Sequence, residues 1–126
     1  MFGLFDLFGR STSLKALDQA LRATGLHPLL VPEAVKLTVL QLEKKQSQTT
    51  GREAAYENAA QLLAYCMLGR DQFIESNDLA AGDRAEDRLE SAIAEGDSLD
   101  AKLVLLAVHA GLIAPEMADR FDVDGE

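Results

Sequence analysis

Residues 98–114 read SLDAKLVLLAVHAGLIA, and how this stretch is read decides the fold. At about 100° per residue, Leu99, Leu103, Val104, Leu105, Leu106, Val108, Leu112 and Ile113 cover nearly the whole circumference of a helix, with Ala101, Ala107 and Ala110 between them. Only Ser98, Lys102 and His109 line up as a narrow polar stripe. A helix apolar on nearly every side has to be covered, and this one falls short of the roughly 20 apolar residues that span a bilayer. Other helices of the same chain must do the covering. The expected fold is an all-α, compact single domain over residues 1–126, a bundle of about five or six helices around a central apolar helix near Leu99–Ala110.

The flanking segments supply those helices. Ser11 or Ser13 is placed to cap a first helix, Leu14, Leu17 and Leu21 recur on one face, and Gly25 stands where a left-handed residue closes a helix. Pro28 and Pro32 interrupt the chain before a second helix from about Pro32 to Ser47, with Glu33 near its start and Lys44 and Lys45 near its end, as the macrodipole favours. Thr50 and Glu53 have capping-box spacing, so a third helix should begin near Gly51. Its alanine-rich first half, from Ala54 to Ala60, suits close helix approach and makes it a second candidate for a central position. Gly69 should kink it, with resumption to about Ser76. From Asp78 to Gly96 the apolar residues thin to Ala85, Leu89 and Ile93, and acids fill much of the remainder. Asp97 or Ser98 caps the apolar helix, Gly111 ends or bends it, and Pro115 opens a short helix through Phe121. No alternating run bounded by turn residues suggests a strand. The acidic tail, 122–126, is expected to fray.

Charge narrows the function. With 21 acids against 12 bases the net charge is −9, a field that repels phosphate backbones and anionic headgroups and favours cationic protein surfaces. One cysteine, Cys66, excludes an internal disulfide and fits a reducing compartment. The opening residues lack a basic region followed by a long apolar run, so the expected location is cytoplasmic.

Catalytic signatures are missing. No glycine-rich phosphate loop, His-Glu-x-x-His or Gly-x-Ser-x-Gly occurs in the chain. Neither His27 nor His109 follows a glutamate at the spacing a di-iron bundle needs. The carboxylates Asp83, Glu86, Asp87 and Glu90 are interleaved with Arg84 and Arg88, which makes a solvated face rather than a metal cage. Cys66 sits among Leu63, Tyr65, Met67 and Leu68 without an adjacent base, as a small buried hydrophobe would. The chain is therefore expected to be no enzyme, with no catalytic residue, cofactor or metal.

Two minor alternatives remain. An enzyme or ligand-binding protein would use a pocket near Lys102 and His109. A helix-turn-helix would occupy about 107–121, where Ala107, Gly111, Leu112 and Met117 take the small, turn and apolar positions. Its second helix, however, would present Glu116, Asp119 and Asp122 against the single base Arg120, so no nucleic-acid partner is expected.

The preferred reading is a non-catalytic accessory or regulatory module that binds another protein, a second copy of itself included, and does not span a membrane. Its candidate docking segment is the Phe-rich start within residues 1–10: Phe2, Leu4, Phe5, Leu7 and Phe8. These residues could instead fold back to seal the bundle.

Overall fold

The computed structural model describes the backbone of residues 3–46 and 52–118, and within these the side chains of residues 13–43, 55–115 and 117. The chain is a single-domain helical bundle, and no strand occurs among the described residues. In order come α1 (Gly3–Ala23), a 3-10 turn (Pro28–Leu30), α2 (Glu33–Gln46), α3 (Arg52–Leu68), α4 (Arg70–Ser76), α5 (Leu79–Glu95), α6 (Leu99–His109) and the single turn α7 (Pro115–Ala118).

Sequence punctuation sets most boundaries. After α1, the Gly25 N–H reaches the Arg22 carbonyl and the Leu26 N–H reaches Leu21, the paired bonds of a Schellman turn, with Leu21 and Leu26 both buried against it. The same pair of bonds closes α6, from Gly111 to Val108 and from Leu112 to Ala107. Gly69 separates α3 from α4, while Asp78 and Ser98 cap α5 and α6 by accepting from the N–H groups of Ala81 and Ala101. One expected boundary is different. α1 does not start at a Ser11 or Ser13 cap but runs unbroken from Gly3, so the backbone from Gly3 to Arg10 is continuous with the first helix.

The centre of the bundle also differs from the expectation. The most enclosed helix is α3, which packs against α1, α2, α4, α5 and α6 and buries every residue from Leu62 to Cys66. Ala55, Ala59, Ala60 and Ala64 explain why: methyl-sized side chains let several neighbours approach one axis closely, which a leucine-rich surface does not allow. The stretch near Leu99–Ala110 lies along α3 as α6, burying Ala101, Leu103, Val104 and Ala107. Its leucine at 105 is 56% exposed. At about 100° per residue, Leu105 projects within about 20° of Ser98, at the edge of the expected polar stripe, so its direction decides its exposure and its residue type does not. The same geometry explains α5, where Gly82, Ala85, Leu89 and Ala92 form the buried face and Ile93, one residue further round, is exposed.

Polar ties fix the directions. Along α5, Arg88 meets Asn58, Glu86 meets Tyr65 and Asp83 meets Arg70, so α5 runs antiparallel to the α3–α4 line. α6 runs parallel to α3, since Arg88 joins Asp100 to Asn58 in their first halves and the Ala114 N–H, past the end of α6, donates to the Cys66 carbonyl in the last turn of α3, at 2.8 Å.

Candidate functional site

The residues expected to carry function are not gathered into one place. Lys102 and His109 both lie exposed on α6, seven residues and about 10 Å apart along the axis, and neither is hydrogen-bonded or ion-paired among the described residues. Cys66 is buried in the core of α3. In the helix-turn-helix candidate Ala107 and Met117 are core residues, and its last part, 119–121, lies outside the described residues. So do Phe2 and the side chains of Leu4, Phe5, Leu7 and Phe8, as does the tail 122–126. Of the acidic run, Glu86 accepts a hydrogen bond from the Tyr65 hydroxyl and Asp83 pairs with Arg70 at 2.7 Å.

Two features were not anticipated. The first is a polar junction where α2, α3, α5 and α6 meet. Arg88 donates through Nε and Nη2 to the two carboxylate oxygens of Asp100, at 3.0 and 2.8 Å, and through Nη1 to the Asn58 carbonyl at 2.8 Å. A forked guanidinium suits this three-way demand, since its donors lie in one plane. Beside this pair Glu43 of α2 is 3% exposed. Burial pushes its carboxyl up from 4.5 to about 7; the Arg88 cation partly offsets this and the Asp100 carboxylate adds to it. At neutral pH this group is therefore close to half protonated. A second buried charge on α2, Lys36, is held by Asp18 of α1 at 2.9 Å. Tyr65 crosses Phe73 edge to face at a centroid separation of 5.4 Å, and its hydroxyl is held above its usual range by burial and by Glu86.

The second feature is an apolar surface at the end where α1 finishes and α5 begins. The 3-10 turn leaves Leu29 83% and Leu30 59% exposed, and Leu79, in the first turn of α5, is 60% exposed. The turn that closes α1, just before the 3-10 turn, sits against the turn that precedes α5, because the Asn77 side-chain amide donates to the Thr24 carbonyl at 3.0 Å and Gly25 abuts Ser76. Their shape is fixed as well: His27 Nδ1 accepts from the Leu29 N–H at 3.1 Å, and the N–H groups of Leu30 and Val31 return to the carbonyls of His27 and Pro28. Val31 and Pro28 anchor the turn in the interior, which leaves the two leucines projecting from a braced base.

No protein family, curated protein or solved structure matches this chain. At the junction Arg88 is bonded to Asp100 and to the Asn58 carbonyl, whereas the leucine end faces outward. Among the described residues no helix is long and apolar enough to cross a membrane. Sequence reasoning missed this end because Leu29 and Leu30 lie between two prolines, where helical periodicity gives no direction. The signal that was available is the Pro-Leu-Leu-Val-Pro run itself, too short for a buried element and more apolar than a solvated loop.

Proposed function

We propose that this chain is a non-catalytic cytoplasmic accessory or regulatory protein that acts by binding another protein. The observation that carries the reading is the pair Leu29 and Leu30, held in a hydrogen-bonded turn with both side chains in water. Single exposed leucines are ordinary on any surface; adjacent ones on a braced turn, with a third on the neighbouring turn, make a contact surface that needs little ordering on binding. The net charge of −9 and the lack of catalytic signatures agree with a protein whose work is done at its surface.

The test places a photo-crosslinking leucine analogue at position 29 in the full chain within its native cells, with the same analogue at the exposed Gln41 as control. The expected result is one discrete covalent protein adduct from position 29 that position 41 does not give. Identical adduct patterns from the two positions would reject the reading.

A further inference from the structure

The charges around the exposed leucines point to the kind of partner. From Thr24 to Glu33 and from Asp71 to Leu79 the sequence contains no lysine or arginine, yet it contains Glu33, Asp71, Glu75 and Asp78, all exposed. None of these four is in an ion pair among the described residues. Lys36 is paired with Asp18 and Arg70 with Asp83, while the exposed Arg22, in the turn that closes α1, is in no ion pair among the described residues. The segments that carry the leucines thus hold four exposed carboxylates, one of them the α5 cap Asp78, against the single arginine of the α1-closing turn.

We infer that the Leu29, Leu30 and Leu79 surface receives a cationic amphipathic segment of another protein, the leucines meeting its apolar side and Glu33, Glu75 and Asp78 meeting its flanking lysines or arginines. This rests on the protein-binding reading above and adds the partner's chemistry. A second copy of the chain is the wrong occupant. In a two-fold contact the same surface faces itself, so the carboxylates of one copy would oppose those of the other. A positively charged partner gains from the same carboxylates, which speed encounter and reject acidic competitors.

The experiment uses the full chain, isotopically labelled for amide NMR, and three synthetic 14-residue helical peptides as probes: leucine–lysine, leucine–serine and leucine–glutamate. The leucine–lysine peptide should shift amides within 24–33 and 76–80, and bind about tenfold tighter than the leucine–serine peptide, a margin that shrinks as salt rises. The double variant Leu29→Ser/Leu30→Ser should weaken it by about tenfold, and Glu33→Gln/Glu75→Gln by about threefold with a flatter salt dependence.

Four outcomes overturn the proposal. Equal affinity of the leucine–serine or leucine–glutamate peptide at this end removes the partner's charge while leaving the protein-binding reading in place. Unchanged affinity of the leucine–lysine peptide for the leucine double variant means that charge alone draws it elsewhere. Concentration-dependent broadening at this end without any peptide assigns it to a second copy. No shift at this end from any probe, together with a negative crosslink at position 29, removes both readings.

Discussion

The Glu43 junction and the Leu29 turn place residue types in opposite ways. At the junction, charge is taken inside: Arg88 spans Asp100 and the Asn58 carbonyl, and Glu43 is enclosed beside them. At the turn, apolar side chains are left outside with unpaired carboxylates around them. The Arg88–Asp100 pair is half-buried, so it contributes modestly when intact and costs more when one partner is removed. Exposed leucines contribute almost nothing to folding, and their loss should cost the fold almost nothing. The contrast separates two responsibilities: the junction holds four helices in register, and the turn is available for recognition because the fold does not depend on it.

The largest test of this contrast is Arg88→Met. It leaves the partly exposed Asp100 carboxylate without its ion pair, removes the donor to Asn58 and withdraws the cation facing Glu43, and should lower stability by about 3 kcal/mol in urea unfolding. A loss below about 1 kcal/mol would place the junction with ordinary surface pairs and end the comparison.

Next is the pH dependence of Glu43. Its carboxyl is raised from 4.5 to about 7 on folding, so the folded chain binds that proton more tightly than the unfolded chain. The stability this confers is complete below pH 4.5, declines as pH rises, and is gone once the pH passes about 7. The Glu43→Gln variant carries no such proton. The difference in unfolding free energy between wild type and variant should therefore shift by about 3 kcal/mol, against wild type, between pH 4 and pH 8. A constant difference across that range would mean that Glu43 is solvated.

A smaller effect sharpens the picture within the core. Tyr65→Phe keeps the edge-to-face contact with Phe73 but removes the hydroxyl that donates to Glu86, for an expected loss of about 1–2 kcal/mol in thermal or chemical unfolding. The smallest effect is at the other end of the contrast. Leu29→Ser/Leu30→Ser should change stability by no more than about 0.5 kcal/mol and leave the helical circular dichroism unchanged. A loss comparable to that of Tyr65→Phe would mean that the turn supports the fold, and the separation of roles would fail.

What could be read from the sequence was local. Gly25, Gly96 and Gly111 marked helix ends, Gly69 marked a kink where the structure has a break between two helices, and Ser98 marked a start, because each acts on backbone groups within a few residues of itself. The all-helical bundle followed from the same periodicities. The identity of the central helix did not follow, since total apolarity favoured residues 98–114, whereas centrality depends on how many neighbours can approach one axis. The alanines of α3 decided that. Leu105 was misjudged because its side chain was assigned by type before its angular position was considered. The junction was illegible for a different reason: Glu43, Asn58, Arg88 and Asp100 belong to four helices, and nothing in the spacing of residues so far apart in sequence shows that they meet. Acids and bases on α5 correctly suggested a wet face, but not that Arg88 and Glu86 turn inward to partners on other helices.

Gly25 carries a consequence for how the chain can vary. Its φ is +92°, and a side chain there would also collide with the Ser76 hydroxymethyl group, so the backbone and the neighbouring turn each demand a missing Cβ independently. Gly96 and Gly111 share the positive φ but face open space, where an asparagine fits with modest strain. Among chains that share this architecture, the latter two glycines are therefore free to drift while position 25 is not. Even a change of Ser76 to glycine would open only half of the barrier.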